Sequence, residues 1–292
     1  MVKNVADVVF GGFSYWLAGY SFSFGNDDMA NQFCGWGNFM VMAHRNDTGW
    51  LYSKFFFQAS FATTSTTIVS GAMAERTKLE SYMLFSFFNT FIFCFPAHWM
   101  WAEEGFLYEM SCMDIAGAGP VHLVGGTTGM VATLMLKPRR HRFSDSFPQM
   151  GSPTNALLGM FMLWWGWLGF NCGSTFGISG EKWKLAARSA VSTIIASMGG
   201  GMVGMIFSYL TRRRKFHISL IVNSILASLV AITVYKNGKV IHYLFYPNFI
   251  KNAAMCALAE PWQGFLIGVV GALLACLTEN VVLKLQIDDP VG

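Results

Sequence analysis

Long apolar runs separated by short polar stretches make up most of this chain. Eight runs lie at residues 5–24, 55–74, 79–101, 114–136, 154–172, 185–210, 218–233 and 261–285. At about 1.5 Å of rise per residue, most of them reach the roughly 30 Å of a hydrocarbon core, and the seventh falls short. Gly11, Gly12, Gly19 and Gly25 would let the first run approach a neighbour closely. The polar segment 25–53 follows it, and the segment 102–113 carries Glu103, Glu104 and Glu109. The pattern predicts an all-α fold, a polytopic transmembrane helical bundle. With loops this short, residues 1–292 read as a single membrane domain. The stretch 234–252 does not fit, since it mixes Lys, Tyr, Asn and Pro without an apolar period.

The fourth run opens with Asp114 and reaches His122 after Ile-Ala-Gly-Ala-Gly-Pro-Val. A helix starting at Pro120, a favoured first position, would span only about 25 Å. Starting at Asp114, with the carboxylate as N-cap, gives 23 residues and a full crossing. His122 would then lie roughly 12 Å beyond the cap, inside the membrane. An ionisable group there suggests function. A capping Asp beside a hydrogen-bonded core His accounts for the same pattern.

Composition agrees with the membrane reading. The chain is 53% hydrophobic and 12% charged, with a mean hydropathy of +0.42, against about 25% charged residues in a soluble domain. Such a surface excludes a nucleic-acid binder. Cys34, Cys94, Cys112, Cys172, Cys256 and Cys276 show no C-x-x-C spacing, so they read mainly as packing residues. Only Cys34 and Cys112, both in non-membrane segments, invite a disulfide. No cleavable signal peptide precedes the first run.

Charge distribution sets the orientation. Alternate loops carry Lys3, Arg76, Lys78, Lys137, Arg139, Arg140, Arg142, Arg212, Arg213, Arg214, Lys215 and Lys284, twelve of the 20 basic residues. Cytoplasmic loops hold such an excess, so the amino end is expected in the cytoplasm and the acidic loop outside.

Aromatic residues supply the next candidates. Phe57 and Phe61 stand four apart, so their rings share a helical face and could close a narrow path, although such pairs are also ordinary packing. The hydroxyl-rich Ala62-Thr-Thr-Ser-Thr-Thr67 follows them. Trp99 and Trp101 close the third run at the outer interface, where an indole face can hold a cation. The fifth run ends Gly166-Trp-Leu-Gly-Phe-Asn-Cys-Gly-Ser174, with a ring and a hydroxyl at the same level.

Taken together, Phe57-Gln-Ala-Ser-Phe61, Gly71-Ala-Met-Ala-Glu-Arg76, Ala97-His-Trp-Met-Trp101, Asp114 to His122, Gly166 to Ser174 and Asp288-Asp-Pro-Val-Gly292 resemble the ammonium transporter, methylammonium permease and Rhesus family. Trp101 makes the chain more similar to the ammonium transporter branch. The resemblance implies that Trp101, Phe61 and Ser174 bind ammonium at an outer site. It implies that Phe57 and Phe61 form an apolar gate, that Asp114 supports binding and deprotonation, and that His122 lines the pore. It further implies a homotrimer in a lipid bilayer, at the plasma membrane, that takes ammonium or methylammonium without a cofactor.

The physical chemistry fits that assignment. Cation–π contact with Trp101 and a hydrogen bond to Ser174 could replace part of the hydration shell of ammonium. Potassium is similar in size and donates no hydrogen bond. Beyond the rings a charge is expensive, so passage is easiest if a proton leaves, with His122 able to accept or donate.

Three departures from the family pattern stand out. The family has eleven spans, of which about eight are expected here, with one missing before the first run. The chain stops at Gly292, before the family's second pore histidine. Residues 234–252 interrupt the seventh span, as translated non-coding sequence would. The first expectation is therefore an ammonium transporter present as an incomplete copy. The second is a non-conducting ammonium sensor or regulatory subunit, or an inactive fragment. A membrane enzyme using Asp114 and His122 is disfavoured, because the sequence shows no metal motif, nucleophile elbow or phosphate loop. His44, His98, His141, His217 and His242 suggest no role.

Overall fold

The computed structural model describes residues 2–42, 48–143, 150–235 and 255–288. Its main helices follow the eight apolar runs. They are α1 (2–24), α2 (Thr48–Met73), α3 (Leu79–Trp101), α4 (118–136), α5 (Pro153–Gly173), α6 (Lys182–Thr211), α7 (Ile218–Ala231) and α8 (Pro261–Lys284). Three helical segments, Leu79–Glu109, Lys182–Thr211 and Pro261–Lys284, are long and apolar enough to cross a membrane by length and composition, and Ile218–Ala231 is a shorter apolar helix. The chain forms two compact units, one built from the residues up to Cys112 with Gly119–Arg139, the other from Met113–Ala118 with Arg140–Asp288.

In the first unit, α1 is an α-helix interrupted by π-helical turns at Asp7–Gly11 and Tyr15–Gly19. It stops at Gly25, which turns extended. Only a glycine fits there, since a Cβ would lie 2.3 Å from the Trp36 carbonyl oxygen. The Lys3 ammonium donates to the carbonyls of Met73, Ala74 and Thr77, so a cation satisfies the exposed carbonyl end of α2. Ala6, Val69, Met73 and Tyr82 pack together beneath Phe10 and Phe85. The buried Asn89 amide donates to the Thr66 hydroxyl at 3.2 Å. Gly125 brings α4 against α2, where a Cβ would sit 2.8 Å from the Ser65 carbonyl oxygen. The buried Ser65 hydroxyl has no hydrogen-bond partner among the described residues, whereas Thr63, Thr64, Thr66 and Thr67 bond back to their own helix, as Thr64 does to the Ser60 carbonyl at 2.6 Å. That arrangement lets the threonines lie in a span without an unmet hydrogen bond.

The second unit packs α5 to α8 through small residues. A Cβ on Gly200 would lie 2.5 Å from Ser228, and one on Gly268 would lie 2.0 Å from the Ala196 carbonyl oxygen. Close backbone approach of this kind is how helices associate where no hydrophobic drive separates them from lipid. Met160, Trp167, Ile225 and Leu229 form an apolar cluster, and the Asn171 amide donates to the Thr193 hydroxyl at 2.8 Å. The ends follow from local chemistry. Ser152 caps α5 by accepting from the Asn155 amide, with Pro153 next. The Gln263 side chain accepts from the Glu260 amide ahead of α8. Strands β1 (Met113–Asp114) and β2 (Val234–Tyr235) pair antiparallel.

Several boundaries differ from the sequence expectation. The fourth helix starts at Ala118, rather than at Asp114 or Pro120, because Asp114 is held in the β1–β2 ladder. Helix α2 begins at Thr48 instead of residue 55, and α7 ends at Ala231 instead of 233. Of the atypical stretch 234–252, residues 234–235 form β2, and the rest lies outside the described residues. Cys34 and Cys112 are free thiols, so the pairing their positions invited is not formed.

Candidate functional site

Helices α2 and α3 assemble an aromatic cluster in the first unit. One turn of α2 brings the Phe57 and Phe61 rings together, 5.0 Å between centroids and 74° between planes. The contact is edge-on. Phe61 also meets the Trp101 indole at 5.4 Å, and Phe93 meets the same indole at 6.2 Å. Edge-to-face contacts at such distances are a favoured arrangement of aromatic pairs. Phe61 is buried at 1% exposure, whereas Phe57 and Trp101 stay partly accessible. His122 occupies the π-helical turn Ala118–Leu123 that opens α4. Its Nε2 is shielded from solvent, and π-helical turns occur frequently at functional sites.

The second unit holds the polar candidates. The Asp114 carboxylate is buried, and its Oδ1 accepts from the amides of Gly117 at 2.8 Å and Ala118 at 3.0 Å. Gly117 permits this tight turn with φ at +85°. Asp114 therefore caps the entry of α4 while lying outside the helix. Ser174 ends α5, with its amide donating to the Phe170 carbonyl at 3.0 Å. Its hydroxyl is 1% exposed and has no hydrogen-bond partner among the described residues. A buried hydroxyl in that condition is open to a ligand or water.

Two residues of the first unit escaped the sequence reading. His98 is fully buried, with Nδ1 3.0 Å from the Ser23 carbonyl oxygen and Nε2 2.7 Å from that of Asn31. It anchors the loop 25–36 to α3 one turn ahead of Trp101. Asp7 is fully buried in the first π-helical turn of α1 and accepts a 2.9 Å hydrogen bond from the Tyr82 hydroxyl. A carboxylate two places into an apolar run was the available signal for Asp7.

A polytopic helical membrane protein with aromatic and ionisable groups along its spans is the class this architecture defines. Residues 1–242 match the family described as the Ammonium Transporter Family, and the chain belongs to it. It is 45% identical over 302 aligned positions to putative ammonium transporter 3 of Caenorhabditis elegans, covering all of this chain and 41% of that protein. It is 30% identical to ammonium transporter 3 of Dictyostelium discoideum, covering 63% of it. Among solved structures, a sensor Amt protein aligns over 99% of this chain and 68% of its own, with a TM-score of 0.82 at 29% identity. Saccharomyces cerevisiae Mep2 aligns over 99% and 62%, also with a TM-score of 0.82, at 27% identity. The chain spans about half the length of the curated relatives it matches. These relatives are named as transporters, and the chain is a multi-pass membrane protein rather than an enzyme.

Proposed function

We propose that this chain carries ammonium or ammonia across a membrane through a pore within each subunit, with methylammonium as an alternative substrate. The observation that carries the reading is the contact of Phe57, Phe61 and Trp101, in a chain of a family whose named members are ammonium transporters. Trp101 and Phe61 of the first unit recruit the cation through their rings, and Ser174 and Asp114 of the second unit supply polar groups for binding it. An indole face attracts a cation by about 0.5–2 kcal/mol, depending on desolvation. The Ser174 hydroxyl can accept from N–H, a contact that potassium cannot return. Phe57 and Phe61 exclude water from the path beyond. A charged species meets a steep cost there, so the proton is given up and His122 takes part in its transfer.

The chain acts as one transport domain and assembles as a homotrimer in the lipid bilayer of the plasma membrane. Its amino end faces the cytoplasm, on the side with twelve of the 20 basic residues. The test is uptake of labelled methylammonium by cells lacking ammonium transporters of their own. Cells expressing the chain should accumulate label, and the Trp101→Leu and His122→Ala chains should accumulate less. Equal accumulation by the chain and by empty cells would refute the reading.

A further inference from the structure

Asp7 has an environment that packing alone does not explain. Its carboxylate is fully buried in α1, and only Oδ2 receives a hydrogen bond, from Tyr82 of α3. Oδ1 has no hydrogen-bond partner among the described residues. The α2 hydroxyl of Thr67 and the α3 hydroxyl of Ser86 lie beside the carboxylate. Ser70 of α2 lies beside the Tyr82 hydroxyl. Lys3, one turn earlier on α1, bonds to the carbonyls of Met73, Ala74 and Thr77 instead. Tyr82 is thus the titratable side chain hydrogen-bonded to Asp7, the Lys3 ammonium stands over the Tyr82 ring at 5.3 Å from its centroid, and the other groups beside the carboxylate are neutral hydroxyls. A buried carboxylate with one oxygen unmatched calls for a proton or a cation.

Ser70 lines a groove of about 620 Å³ together with Lys3, Asn4, Gly71 and Thr77. Tyr82 donates to Asp7 and keeps lone pairs to accept from Ser70. We propose that Asp7 is a proton-binding station that exchanges with water at the Lys3 end of its unit through Tyr82 and Ser70. In the exchange, hydronium in the groove gives a proton to Ser70 Oγ. Ser70 gives its own to Tyr82 Oη, and Tyr82 gives its own to Asp7 Oδ2. Three O–H bonds form and three break, water is released, and the carboxylate becomes a carboxylic acid. The π-helical turn Asp7–Gly11 places the carboxylate in this position. The station's use in transport rests on the proposed ammonium passage, and its proton exchange does not.

The test is an infrared difference spectrum of the full chain in lipid vesicles, stepped from neutral to acidic pH and read where carboxylic C=O groups absorb. The unsubstituted chain should show a band that Asp7→Asn removes and Tyr82→Phe moves. If Asp7→Asn fails to insert, Tyr82→Phe decides alone, because it keeps the carboxylate. A spectrum that these substitutions leave unchanged overturns the proposal. Methylammonium uptake is read separately in the same vesicles. An Asp7 band without uptake overturns the transport reading and keeps the station, whereas uptake with a spectrum insensitive to both substitutions does the reverse.

Discussion

The Phe61 ring meets the Trp101 indole edge-on, with 5.4 Å between centroids and 63° between planes. Phe61 is buried and Trp101 partly exposed, so the pair joins a sealed region to an accessible one within a single aromatic contact. If Trp101 recruits the cation, Trp101→Leu removes a cation–π contribution of about 0.5–2 kcal/mol. The half-saturating concentration of methylammonium should rise by about two- to thirtyfold. Concentration-dependent uptake measures it, and an unchanged half-saturation would remove Trp101 from the site.

Asp114 makes a prediction that separates shape from charge. Its Oδ1 accepts from the Gly117 and Ala118 amides, a capping role that an asparagine oxygen can also fill. Asp114→Ala should lower stability by about 0.5–2 kcal/mol. Asp114→Asn should stay close to the original in thermal unfolding in detergent, yet lose uptake if the negative charge supports the cation. Equal melting of the two substituted chains would contradict the capping role.

Much of this architecture was legible in the sequence, because apolar runs of membrane length have few alternatives to helix. The runs at 79–101 and 261–285 became α3 and α8 to within one residue. The start of α4 was not legible. Asp114 was read as the first residue of a helix, and a ladder with residues far along the chain, Val234 and Tyr235, holds it outside. The partners of His98 were equally hidden, since Ser23 and Asn31 lie 75 and 67 residues away. Asp7 sits near the start of its run, and only the packing of α1 on α3 reveals its burial.

His98 yields a stability prediction. Replacing it with alanine removes the imidazole from beside the Ser23 and Asn31 carbonyls, and a lost hydrogen-bond partner in a buried setting costs about 1–3 kcal/mol. His98→Ala should therefore lower the unfolding temperature and speed proteolysis in the loop 25–36. His98→Gln, which can donate to one carbonyl, should fall between. Unchanged proteolysis in His98→Ala would show that the loop is held by other contacts.

The glycine seam of the second unit yields another. A Cβ on Gly268 would press on the Ala196 carbonyl oxygen at 2.0 Å, whereas one on Gly166 would meet nothing within 4 Å. Gly268→Ala should destabilise by about 1–3 kcal/mol through overpacking. Gly166→Ala should have little effect. Thermal aggregation of both chains in detergent checks this, and equal behaviour would mean that α6 and α8 can separate without cost.

The most direct measurement of the central claim is uptake of labelled methylammonium into lipid vesicles containing only this chain, with unlabelled ammonium or potassium as competitor. The account predicts uptake that ammonium suppresses and potassium leaves intact, because selection rests on N–H donation as well as charge. Absence of uptake, or equal suppression by potassium, would contradict it.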